Sequence, residues 1–230
     1  MPDPSYADGL ADTAAGEPRA SLPLGVTAAL VGEYRWIETS LYALLGGWVA
    51  DMPIAGVQVH LDEQSMRHAW HAELWGDRLP VLSGADPDAV TRPSAATAAV
   101  FAALDGVEPV VAGPGSTWPP ADREVPPRPG ALPRLAALYR VVLPRLVTSY
   151  TRHLRVVAPV ADGPLRRSLR LVLNDEVEDW LAGERMVQRL VTRPHDVDAV
   201  HEFQQRLESV AVAAGAHSGL VDLPGWVPTD

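Results

Sequence analysis

The sequence predicts an all-α helical bundle with one long crossover, and three observations predict it. Apolar residues recur at spacings of three and four through four long segments and one shorter one. No stretch alternates apolar and polar residues convincingly enough for a strand, and no repeat of 20–50 residues is visible. The long segments come as two closely linked pairs, separated by a Pro- and Gly-rich stretch. Short turns make antiparallel neighbours, and a long connection lets the second pair run the other way.

The first long helix is expected over 26–51. Leu30, Tyr34, Ile37, Leu41, Leu44, Leu45 and Trp48 form its stripe, Gly46 and Gly47 weaken its last turn, and Pro53 stops it. The second is expected over 54–78, ended by Pro80. A short Ala-rich helix follows over 94–104, with Ser94 as its cap. The crossover, 106–133, holds too many prolines to be helical. The third long helix, 131–157, carries Leu135, Leu138, Tyr139, Val142, Leu146, Tyr150, His153 and Val157 on its stripe, with a kink expected at Pro144. The fourth, 164–191, carries Leu169, Val172, Leu173, Val177, Trp180 and Leu181, and a C-terminal helix over 197–214 completes the set. The expected domain is 24–218. Residues 1–23 read as a loosely draped arm, or alternatively as an ordered strap across the bundle, and 219–230 as a tail.

Composition narrows the function. Hydrophobic residues at 47% against 21% charged provide a sizeable core. There is no Cys, which excludes disulfides, thiolate metal sites and cysteine nucleophiles. Every basic side chain among the 19 is Arg, so lysine Schiff bases and P-loop chemistry are excluded as well. A net charge of −10 argues against nucleic acid or anionic membrane as the main partner. No apolar run approaches the ~20 residues of a membrane span. The first twenty residues start acidic and lack the apolar region of a signal peptide, so a cytoplasmic protein is expected.

Polar residues on core-facing stripes mark the candidate site. His60, Gln64, His68, His71 and Trp75 lie along one stripe of the second helix. Two imidazoles three apart lean the same way and are able to share one metal; singly, each is as readily a satisfied core or surface histidine. Glu38 flanks the apolar face of the first helix, where a metal, an Arg or a buried His would explain it. Glu33, nearer the helix end, reads as exposed, and Glu73, off its stripe, as a solvated charge. In the fourth helix Glu176 falls inside the stripe and Asp179 one turn further on, whereas Asp175 and Glu178 fall outside; a solvated acidic face is the plainer alternative. The third helix has no acid between Glu124 and Asp162, and offers only Tyr150 and His153.

The segment His68-Ala-Trp-His71-Ala-Glu-Leu-Trp75 resembles the second-helix signature of the ferritin-like superfamily, Glu-x-x-His followed by a small residue. Asp175-Glu176-Val-Glu-Asp179-Trp180 is similar to its fourth-helix counterpart, and the resemblance spans roughly residues 26–192. It implies a ferritin-like four-helix bundle and a site in its core. Glu38 matches the first-helix Glu, His71 the second-helix His and Glu176 the fourth-helix Glu. His68 stands in place of the second-helix Glu, Asp179 in place of the fourth-helix His, and the third helix supplies no Glu. A bridging carboxylate is thus missing from the carboxylate-bridged pair of metals typical of the family.

Two His with one carboxylate is the recipe for a mononuclear non-haem iron centre. The resemblance therefore implies a metal-dependent oxidase or oxygenase acting on a small-molecule substrate. Its metal ligands would be drawn from Glu38, His68, His71, His153, Glu176 and Asp179, with Tyr150 donating a proton or an electron and Trp70 and Trp75 lining the pocket. The alternatives are a ferritin-like protein without metal, acting by acid–base chemistry or as a partner in a biosynthetic assembly, and a helical interaction module. An exposed apolar helical face leaves a homodimer open.

Overall fold

The computed structural model describes residues 21–80, 86–105, 130–217 and 219–223, and no strand occurs among them. The arm up to residue 20, the crossover from 106 to 129 and the last seven residues lie outside the described residues. Helix α1 (Leu24–Val49) and α2 (Ala55–Gly76) form the first long pair. A short α3 (Pro87–Val90), not expected from sequence, is capped by Asp86, whose carboxylate accepts from the Asp88 N–H. Helix α4 (Ala95–Leu104) starts at the Ser94 cap, with the hydroxyl accepting from Thr97 N–H at 3.2 Å. Helix α5 (Ala131–Ala137) passes through a π-helical turn (Leu138–Val142) into α6 (Leu143–Val156). Helices α7 (Gly163–Leu190) and α8 (Pro194–Ala213) complete the chain.

The irregularity expected at Pro144 takes the form of that π turn. Pro144 has no N–H, and its ring would crowd the carbonyl four residues back. Leu143 N–H instead bonds to Leu138 O, five residues back, and the widened turn absorbs the mismatch. The ring of Tyr139 projects from this turn onto α7 at Gly183, where an added Cβ would meet it at 2.0 Å.

Side-chain pairs give the helix directions. Tyr34 meets Trp75, and Ser65 Oγ donates to Tyr42 O, so α1 and α2 are antiparallel. Arg140 pairs with Glu184 at 2.9 Å, and Arg166 reaches Leu154 O, so the π turn and α6 are antiparallel to α7. Tyr34 meets His153 and Glu38 meets Tyr150 across α1 and α6. Arg67 meets Asp179 and His71 meets Asp175 across α2 and α7. Helices α2 and α6 therefore run in the same direction.

The core is mainly Leu, Val and Ala, with Trp48, Trp75, Tyr34, Tyr139 and Tyr150 as its largest members. Helix α8 packs across α4 and α5, and an Arg145–Glu208 ion pair ties it to α6. Residues 219–223, assigned to a tail by sequence, are part of the body. Leu220, Val221 and Leu223 are buried, and Ser149 Oγ accepts the N–H groups of Leu220 and Val221 at 2.9 and 3.0 Å. No helix among the described residues is long and apolar enough to cross a membrane.

Candidate metal centre

Four side chains from three helices converge at the centre of the bundle. Glu38 comes from α1, His68 and His71 from α2, and Glu176 from α7. All four are fully buried, and one ligand atom from each lies within 4.8 Å of every other. The stripe logic explains the convergence: 3.6 residues per turn aims His68 and His71 from consecutive turns toward one axis, and the antiparallel α1 brings Glu38 level with both.

His68 Nδ1 donates to Glu38 Oε2 at 2.6 Å and lies 3.3 Å from Glu176 Oε1. His71 Nδ1 lies 3.4 Å from Glu38 Oε2 and 3.3 Å from Glu176 Oε1. Glu38 also accepts from the Tyr150 hydroxyl at 2.5 Å through Oε1. On its far side His71 Nε2–H donates to Asp175 Oδ2 at 3.0 Å. A carboxylate there fixes the ring and leaves Nδ1 to face the cluster.

The electrostatics follow from burial and mutual charge. Burial alone would raise the Glu38 carboxyl, but the adjacent His71 and His68 overcome it and hold Glu38 well below its ordinary range. Burial would lower both imidazoles, but Glu176 and Glu38 push His68 far up, and Glu38, Asp175 and Glu176 do the same to His71. Burial and the negative charge of Glu38 and Glu176 keep the Tyr150 phenol protonated.

The donor set fits a metal ion. Among the described residues, His71 Nδ1 and both oxygens of Glu176 have no hydrogen-bond partner. Bonds of about 2.1 Å to nitrogen and oxygen place neighbouring ligand atoms about 3.0 Å apart at right angles and about 3.4 Å apart at the tetrahedral angle. Three of the four His–Glu separations, at 3.3, 3.4 and 3.3 Å, fall within that interval. The fourth, at 2.6 Å, is a hydrogen bond that a metal would replace.

Other residues singled out by sequence lie elsewhere. His153 is buried, but its Nδ1 shares a hydrogen bond with Tyr34 OH at 3.1 Å, at a level of the bundle beyond the cluster, and burial lowers its pKa to about 4. Asp179 is turned toward Arg67, at 2.5 Å. Burial, reinforced by Glu176, raises its pKa to about 6 against the pull of Arg67. His60 Nε2–H donates to Tyr139 OH, which donates onward to Gln64 Oε1 at 2.6 Å. Trp75 stacks on Tyr150 at 5.6 Å, whereas Trp70 is exposed. Glu73 is exposed as expected. Glu33, expected at the surface, is buried and accepts from Ser94 N–H and the Thr97 hydroxyl.

Sequence reasoning passed over Asp175. Its signal was only its place beside Glu176, and the packing of α7 against α2 is what brings it to His71. No protein-family model, no curated protein and no solved structure matches this chain.

Proposed function

We propose that Glu38, His68, His71 and Glu176 hold one metal ion in a ferritin-like helical bundle, and that the protein is a metal-dependent oxidase or oxygenase of a small molecule. The observation that carries this reading is the unmet bonding capacity at the cluster: His71 Nδ1 and both Glu176 oxygens are buried, within ion-pair distance, and without a hydrogen bond. The two imidazoles at 3.3 Å offset the Glu176 charge only through misaligned contacts, and a metal ion would meet the lone pairs they leave unbonded. The parallel run of α2 and α6, with a long connection between the two pairs, supports the ferritin-like arrangement.

Non-haem iron bound there would supply redox chemistry toward dioxygen. The protein's own groups set the conditions. Tyr150 holds a proton 2.5 Å from Glu38 Oε1, within direct transfer distance. Asp175 orients His71 from the solvent side, and the fully buried cluster excludes bulk water.

A second reading has its own observation. His68 and Tyr150 already give Glu38 two short hydrogen bonds, an arrangement that moves protons without any metal. Elemental mass spectrometry of untagged protein from iron-supplemented cells separates the two. About one metal per chain, lost in His71→Ala, is the expected result. A folded protein that carries none and takes up none on reconstitution overturns the metal reading in favour of acid–base chemistry.

A further inference from the structure

The surface carries an open cleft of about 510 Å3 between α1, α2 and α3, a size ordinary for small-molecule sites. Arg35 of α1 lines it, with Glu73 and Gly76 of α2, Asp77 and Leu79 just beyond, and Pro87 of α3. A Cβ added at Gly76 would meet Arg35 Nε at 3.5 Å, so Arg35 lies against the last turn of α2. Glu73 and Asp77 flank that turn, one helical turn apart, and both are exposed. No metal ligand lines the cleft, and nothing in it rests on the metal reading.

Arg35 is only partly engaged. Its Nη1 lies 3.3 Å from Asp88 Oδ1 and 3.3 Å from Thr91 Oγ1. The Asp88 side chain is 81% exposed, so water weakens that pair. Among the described residues, Arg35 Nε and Nη2 meet no acceptor. Those two nitrogens form the edge by which Arg140 holds Glu184 and Arg193 holds Asp196, each through two bonds. Glu73 and Asp77 likewise have no ion pair among the described residues. Opposite charges thus line one cleft without closing on each other.

A ligand that satisfies both sides carries both charges. An anion alone would meet Arg35 but face two carboxylates. A cation alone would meet the carboxylates and leave the Arg35 edge bare beside a like charge. A carboxylate suits the paired nitrogens of a guanidinium, and an ammonium with three donors suits two carboxylates. Leu79 and Pro87 add apolar surface for an aliphatic group. We propose that this cleft binds a small zwitterion, an α-amino acid with an apolar side chain, its carboxylate held by Arg35 and its ammonium by Glu73 and Asp77.

The test uses the full chain and a ligand-observed NMR titration, with L-leucine as the probe. Isocaproate, which lacks the amine, and isoamylamine, which lacks the carboxylate, are the controls at neutral pH and equal ionic strength. Saturable binding of leucine in the millimolar range is expected, roughly tenfold or more tighter than either control. Arg35→Gln should weaken leucine by roughly tenfold and leave isoamylamine no weaker. Glu73→Gln combined with Asp77→Asn should weaken leucine by roughly the same factor and strengthen isocaproate. Arg35→Lys keeps the charge and guards against a folding defect; it should still bind leucine, several-fold more weakly than the parent. No saturable binding of leucine, equal binding of leucine and either control, or full affinity for leucine in both the Arg35→Gln and the doubly amidated variants overturns the proposal.

Discussion

His71 is gripped from both sides: Nε2 donates to the half-exposed Asp175 at 3.0 Å, while Nδ1 faces Glu38 and Glu176 in the interior. Asp175 decides which nitrogen keeps its hydrogen. Asp175→Asn should preserve the fold and weaken metal binding by about 10- to 100-fold. Competition against a chelator of known affinity measures this. Unchanged affinity would remove Asp175 from the site.

Metal loading should release protons. Both imidazoles are held charged above neutral pH by the two glutamates, and a metal displaces a proton from each. Calorimetry in buffers of different ionisation enthalpy should show about two protons leaving per metal near pH 7. Affinity should accordingly fall as the pH is lowered. Release of none would mean that the imidazoles are neutral before the metal arrives.

Tyr150→Phe removes one of the two short bonds to Glu38 and leaves the ring in place. Hydrogen bonds to charged groups are worth about 1.5–3 kcal/mol, so metal-free protein should lose that much stability in urea. A variant as stable as the parent would show that the hydroxyl does not carry the Glu38 charge.

His153 sets a pH dependence of folding that is independent of any metal. Its pKa is lowered by burial from 6.5 to about 4. As pH falls below about 6.5, the unfolded chain takes up a proton that the folded chain refuses, so stability declines. The decline is complete once the pH passes below about 4, and amounts to roughly 3 kcal/mol. Urea midpoints across this interval should slope less in His153→Gln than in the parent, whatever their absolute values. Equal slopes would rule out His153 as the source.

Gly183→Ala should be strongly destabilising, because the new methyl would lie 2.0 Å from the Tyr139 ring. Overpacking costs typically 1–3 kcal/mol, and here it would also draw Tyr139 away from His60 and Gln64. Thermal unfolding reads the loss. A full recovery in Gly183→Ala combined with Tyr139→Leu would confirm the steric cause.

Much of this arrangement was legible in the sequence. The spacing of Tyr34, Ile37 and Leu41 placed Glu38 at the edge of a buried face, and the four-then-three spacing of Gln64, His68 and His71 placed both imidazoles on another. A helical stripe, however, fixes direction around one helix, not height against its neighbours. His153 shares a stripe with Tyr150, but one turn carries it past the cluster to Tyr34. Asp179 lies inside the stripe and Asp175 at its edge as the spacing implies, but only the packed level of α7 against α2 decides that Asp175 meets His71 and Asp179 meets Arg67. Glu33 read as exposed because its partners, Ser94 and Thr97, arrive from a distant helix. Pro144 signalled a kink, whereas the structure widens the turn before it into a π turn over Leu138–Val142.

The closure of residues 219–223 over Ser149 imposes an order on biosynthesis. Helices leaving the ribosome have every ligand of the central cluster once Glu176 has emerged. The apolar surface beside Ser149 and Thr97 still waits for Leu220, Val221 and Leu223. Premature termination before Leu220 would leave that apolar edge permanently uncovered.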